Sequence, residues 1–303
     1  MLPTLACRLR PKLLAALAAA LLPGAAAAVD APPALRCGTG VHADEAEGVV
    51  ALPQGGVFCP LLADPKAMRT FVSYQRGEFP EVTGATDLGA IGIADTIGLL
   101  RLGGPRPGEG IQLGVEAGVF AQFDLGAPSD DLVNADYVVG FPLTFRVRDF
   151  SGRFRVYHQS SHLGDEFLGR TEIVNEGLSF EAFEAILSQE IGAFRVYAGG
   201  EYLLRGEPDT LEPMLAHAGI ELRVGPVRGA RLVAALDVKS SEQRDWDPAY
   251  STRAGIEVAY GKSPDHPPRL LSVVGEYYDG PSPYGQFFLD ETRFYGVGIH
   301  FQR

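Results

Sequence analysis

Most of the chain after residue 66 falls into short segments that alternate apolar and polar side chains, and this period of two constrains the fold more than anything else in the sequence. In IQLGVEAGVFAQFDL, from Ile111, one face carries Ile111, Leu113, Val115, Ala117, Val119, Ala121 and Phe123. The other carries Gln112, Glu116, Gln122 and Asp124, because successive side chains of a strand point to opposite faces. Twelve such segments fall near 67–76, 88–102, 110–125, 132–148, 152–163, 178–190, 192–205, 213–224, 229–240, 250–261, 269–278 and 292–302. Gly, Pro, Asp and Ser clusters separate them, and nothing after residue 28 is apolar for long enough to make a membrane helix. A soluble sandwich and a barrel in lipid show the same alternation, with the apolar face turned in or out. An even count of roughly ten-residue segments is the pattern of an antiparallel transmembrane β-barrel of about twelve strands. The alternation of Tyr295, Val297, Ile299 and Phe301 at the C-terminus agrees with a closing barrel strand.

The N-terminus supports the barrel. Arg8, Arg10 and Lys12 precede the short apolar run 13–22 and a string of alanines, so residues 1–28 read as a secretory signal. Removing these three positive charges and no negative one takes the net charge from −12 to −15. So acidic a chain has no broad basic footprint for nucleic acid. Cys7 leaves with the signal, and the remaining pair, Cys37 and Cys59, reads as a disulfide in an exported protein. Residues 29–66 hold that pair and little alternation, and are expected to form a periplasmic segment at the mouth of the barrel, which occupies 67–303. Pro142 inside a strand predicts a bulge.

With both ends of the barrel in the periplasm, short turns at 149–152 and 190–193 lie inside and long loops at 164–177 and 279–291 lie outside the cell. The fifth segment, RFRVYHQSSHL, then ends at the exterior. Phe154 and Val156 share a register with His158 and Ser160, so this polar pair sits on the lipid-facing wall near the outer headgroups, where polar side chains call for a function. His158-Gln159-Ser160 resembles the motif of outer-membrane phospholipase A, and its His-x-Ser core is shared by the outer-membrane lipid A deacylase. The Asn-Gly that follows in the phospholipase family is Ser161-His162 here. The resemblance implies a carboxylic ester hydrolase with His158 as base and Ser160 as nucleophile. A serine needs a base and the base an orienting group. Glu181, in the apolar register at the outer end of the sixth segment, is the expected third member, and Asn175 is the alternative. Resemblance to the phospholipase also suggests a calcium ion held by Asp165 and Glu166, since hard carboxylates suit it. His158, His162 and Asp165 could instead bind zinc, or the cluster could only bind headgroups and order a loop.

Four stretches, PLLADP from Pro60, GVFAQFDL from Gly118, HQSSHLGDEFL from His158 and EYYDGPSPYGQFF from Glu276, are similar to the bacterial family called domain of unknown function 1207. That resemblance implies an outer-membrane barrel and no established activity. The expected partners are outer-membrane lipids, whether phospholipid or lipopolysaccharide, the barrel assembly machinery and a second copy of the chain. The lumen register mixes charges, including Glu116, Asp136, Arg146, Arg148, Arg153, Arg155, Arg195, Glu221, Arg223, Arg231, Asp237, Arg253 and Glu257. In a narrow barrel these should close into pairs, which argues against a wide pore. The arginines at 146–155 are expected to find partners in Asp44, Glu45 and Glu47. A non-enzymatic barrel, structural or narrowly conducting, is the alternative function.

Overall fold

The computed structural model describes residues 48–78, 84–106, 108–171, 173, 177–226, 229–260 and 269–302. A short strand, β1 (Gly48–Ala51), precedes the wall strands β2 (Thr70–Glu78), β3 (Ala85–Gly103), β4 (Gly110–Asp124), β5 (Asp131–Val147), β6 (Phe150–Leu163) and β7 (Leu178–Ile191). The wall continues through β8 (Phe194–Glu207), β9 (Met214–Val224), β10 (Gly229–Ser241), β11 (Pro248–Tyr260), β12 (Arg269–Pro281) and β13 (Glu291–Gln302). Every neighbour pair is antiparallel, and the pairing of β13 with β2 closes β2–β13 into a twelve-stranded ring. Followed once round the wall from Gly103, the register returns to β3 at Thr86. That stagger tilts the strands and fixes the radius.

The alternation sorts as a membrane barrel requires. Val72, Ile93, Phe141, Ile191 and Leu232 are at least half exposed on the outer face, as are many other large apolar side chains. Such a surface is stable only against lipid. Tyr74, Tyr137, Tyr202, Tyr250, Tyr277 and Tyr295 are exposed on the same face, where amphipathic rings suit the interface. No helix among the described residues is long and apolar enough to cross a membrane.

The inner face is polar and closed. Arg146 pairs with Glu190 at 2.7 Å, Arg153 with Glu184 at 2.7 Å, and Arg155 with Glu116 at 2.8 Å and Glu184 at 2.7 Å. These partners come from the wall, whereas Asp44, Glu45 and Glu47 lie outside the described residues. Arg148 is not in the lumen. It is exposed in the β5–β6 turn with φ of 53°. Arg195 and Arg223 meet Glu221, and Arg231 and Arg223 meet Glu257. Each pair offsets the desolvation of two buried charges, and removing one partner would cost roughly 3–5 kcal/mol.

The segment expected at the periplasmic mouth does not stop there. β1 pairs with the end of β3, Gly48 opposite Gly103, and the chain then runs inside the barrel as a finger from residue 52 to 69. Val57, Leu61, Leu62 and Ala63 are fully buried in it. The backbone of the finger supplies what the lumen charges leave open. Arg146 donates to the Val57 carbonyl, Arg253 to the Leu62 and Asp64 carbonyls, and Leu62 N–H to Glu221. Phe58 lies under both Arg153 and Arg195, with guanidinium carbons 5.3 and 4.7 Å from its ring centre. Near the tip, Asp64 pairs with Lys239 at 2.9 Å and Lys66 with Asp136 at 2.6 Å. A segment without alternation therefore became the core, because the ring of charged side chains needs carbonyl and amide partners more than it needs apolar ones. Cys59 is buried beside Arg146; Cys37 and the signal segment lie outside the described residues.

At the outer end a short helix, α1 (Asp165–Arg170), and the loop through Gly285–Phe287 fold over the mouth. Phe167 and Phe287 meet edge-on, with ring centres 6.0 Å apart. Arg170 ties the helix to Asp124 and Asp131, and Gly285 N–H reaches the Asp136 carboxylate. Pro142 makes no bulge. The β4–β5 register is the same on either side of it, Leu113 opposite Leu143 and Glu116 opposite Gly140, and only the pairings between are missing. The ladder simply loses the bond that a proline cannot donate.

Candidate functional site

β6 and β7 present the site. Their register sets His158 directly opposite Glu181 and Ser160 directly opposite Ser179. On the other side of β6, Val139 faces His158 and Tyr137 faces Ser160. Gln159, between them, is buried on the inner face, so the alternation turns His158 and Ser160 outward. His158 Nδ1 lies 3.0 Å from Glu181 Oε1, and the two side chains are 41% and 40% exposed. With Nδ1 occupied, Nε2 is the nitrogen free to meet a hydroxyl. Ser160 is half-buried and follows His158 by two residues, about 6.6 Å along the strand. Towards the membrane centre the same face becomes Val156, Phe141 and Phe183, all exposed and apolar. Away from it come His162, whose ring packs edge-on against Tyr137 at 5.7 Å, and Ser179. The group therefore stands where the apolar outer face gives way to polar side chains.

β8 adds a charge that the alternation hides. Glu181 pairs with Arg205 but Ala182 pairs with Leu203, so Leu204 is an extra residue and the parity of the strand changes there. Counting by twos from Arg195 puts Arg205 in the lumen. The bulge turns it outward beside Glu181, 75% exposed and 3.6 Å from Glu207. Ser179, by contrast, was legible as the residue two before Glu181 in its register.

The other expected residues lie elsewhere. Asn175 is outside the described residues. Asp165 and Glu166 are consecutive exposed residues in the first turn of α1, over the mouth of the lumen. Consecutive helix side chains diverge by about 100°. No group of three or more His, Cys, Asp and Glu side chains that could hold a metal ion occurs among the described residues. Two diverging carboxylates fall short of the six to eight oxygens a calcium ion takes. The pair does not make a calcium site by itself, and the same observation leaves His158, His162 and Asp165 without the geometry of a zinc site.

A family model described as "Protein of unknown function (DUF1207)" matches residues 24–303. The chain belongs to that family. Comparison with curated proteins finds no match. Among solved structures, this DUF1207 chain resembles outer membrane phospholipase A from Escherichia coli, with 13% identity over 77% of this chain and 90% of that one and a TM-score of 0.54. It also resembles the Salmonella typhi outer membrane phospholipase, solved as a dimer with bound calcium, with 13% identity over 83% and 92% of the two chains and a TM-score of 0.55. At that identity the likeness shows the fold alone, a twelve-stranded barrel of the bacterial outer membrane.

Proposed function

We propose that this barrel is a lipid-directed acyl-ester hydrolase whose site lies on the outer wall, with Ser160 as nucleophile, His158 as base and Glu181 as the group that orients the base. The observation that carries the proposal is the 3.0 Å contact of His158 Nδ1 with Glu181 on the face that also bears Ser160. A carboxylate accepting the Nδ1–H holds the imidazole in the tautomer whose Nε2 can take a proton. Ser160 Oγ attacks the acyl carbonyl while His158 Nε2 accepts its proton, and the Glu181 carboxylate stabilises the imidazolium. Collapse of the tetrahedral intermediate breaks the ester, and His158 returns the proton to the leaving alkoxide. Water, deprotonated by the same nitrogen, then attacks the acyl-Ser160 carbonyl, and His158 returns that proton to Ser160 Oγ as the fatty acid leaves. The position at the edge of the apolar band suits an ester just beneath a headgroup, and Arg205 beside Glu181 suits the phosphate of a phospholipid or of lipopolysaccharide. No step is assigned to calcium. We place a second copy of the chain and the barrel assembly machinery among its partners on the same reading, the former tested by cross-linking in vesicles.

The test is lipid analysis of vesicles carrying the wild type or Ser160→Ala, with calcium present and absent. The wild type should release fatty acid and the variant should not. If neither releases fatty acid from phospholipid or lipopolysaccharide, the wall cluster binds headgroups without chemistry. The finger argues against the other alternative, a pore, because it occupies the lumen.

A further inference from the structure

Above the tip of the finger, the outer half of the lumen encloses a cavity of about 210 Å3. Asp64, Pro65 and Lys66 form its floor, so it opens outward and ends blind. Its walls are largely apolar, with Phe180, Leu203 and Tyr278 among them, and Glu212 and Asp247 stand exposed at its rim.

The charges in this chamber are unequal in a definite way. Its three cations are already held by carboxylates, Lys66 by Asp136, Lys239 by Asp64, and Arg155 by Glu116 and Glu184. Glu201, in the wall, accepts the Tyr157 hydroxyl and has no cation within ion-pair distance among the described residues, although its charge acts on both Arg155 and Lys239. Glu212 and Asp247 at the rim are likewise without an ion pair there. Gln159 is 5% exposed, lines the same wall, and its side chain hydrogen-bonds no described residue. Its amide opens onto the chamber with no protein partner of its own among the described residues.

We propose that the vestibule is a binding site for a small organic cation from the cell exterior, an ammonium group joined to an apolar or aromatic body. The ammonium would sit on the Glu201 carboxylate and donate to the Gln159 carbonyl, while the body packs against Phe180 and Leu203. An organic anion of the same shape would meet Glu201 and the acidic rim instead and be refused. The site is separate from the wall cluster, since Gln159 and Ser160 face opposite sides of β6.

The test uses the full-length barrel in detergent micelles and a matched pair of probes, 2-phenylethylamine and 3-phenylpropionate. Trp246, the sole tryptophan of the chain, is 45% exposed beside Asp247 and gives a fluorescence readout, with titration calorimetry as the second measurement. The amine should bind saturably and the acid should not. Glu201→Gln, which keeps an acceptor for Tyr157, should weaken the amine at least tenfold while heat-modifiable migration stays that of the wild type. Ser160→Ala should bind as the wild type does. Absence of saturable heat with the amine, equal binding of the two probes, or an unchanged affinity in Glu201→Gln would each overturn the proposal.

Discussion

Ser160 and His158 are separated by one buried residue, Gln159, and on the proposed mechanism that spacing would make them a unit. Members of such a unit fail together, so His158→Ala, Ser160→Ala and the double variant should lose fatty-acid release to the same extent, by several orders of magnitude. Glu181→Ala should be milder by roughly 100-fold, because it orients the base without bonding to the substrate. Single-turnover rates on one phospholipid decide this. A second residue-scale test concerns the lid. A Cβ on Gly285 would stand 1.9 Å from Ser161 Oγ and 2.8 Å from Asp136 Oδ1. Ser161 itself donates to Asp136, so the added methyl cannot be accommodated by turning one side chain. Gly285→Ala should cost about 1–3 kcal/mol, read as a lower temperature for loss of heat-modifiable migration. Adding Ser161→Gly should recover much of it.

At the scale of elements, the wall strands were legible and their interruptions were not. Hydrophobic alternation located all twelve strands of the ring because lipid on one side and charge on the other enforce the period of two. It also placed His158, Ser160 and Glu181 on one face, since no bulge intervenes between β6 and β7 there. Arg205 was hidden because one extra residue, Leu204, reverses the parity of β8. The finger was hidden for another reason. Residues 52–69 lie inside the barrel through backbone groups and ion pairs, which leave no periodic trace in sequence. Cys59 anchors in that finger, and its pairing with Cys37 would tether the finger to the preceding segment. Protein taken from the envelope and alkylated without reductant should show both cysteines blocked, whereas two labelled thiols would refute the bridge.

The whole molecule is a closed wall around a filled lumen. Arg146, Arg195, Glu221, Arg253 and the finger bridge the interior from one side to the other, so among the described residues protein crosses the lumen where a porin would hold water. Purified protein in planar bilayers should show no large steady conductance, and a stable open channel would transfer the account to transport. The same filling has a consequence for chemistry. A lipid in the bilayer does not pass through the filled barrel, so a reaction on lipid would take place on the wall, where Val156 and Phe183 face outward.

Intact in its membrane, the protein can be asked directly whether that wall holds a nucleophile. A serine-directed fluorophosphonate should label the wild type, and peptide mapping should place the adduct on Ser160. His158→Ala, inserted and heat-modifiable like the wild type, should remain unlabelled because the base that activates the hydroxyl is gone. An unlabelled wild type, or equal labelling of the wild type and His158→Ala, would contradict the account.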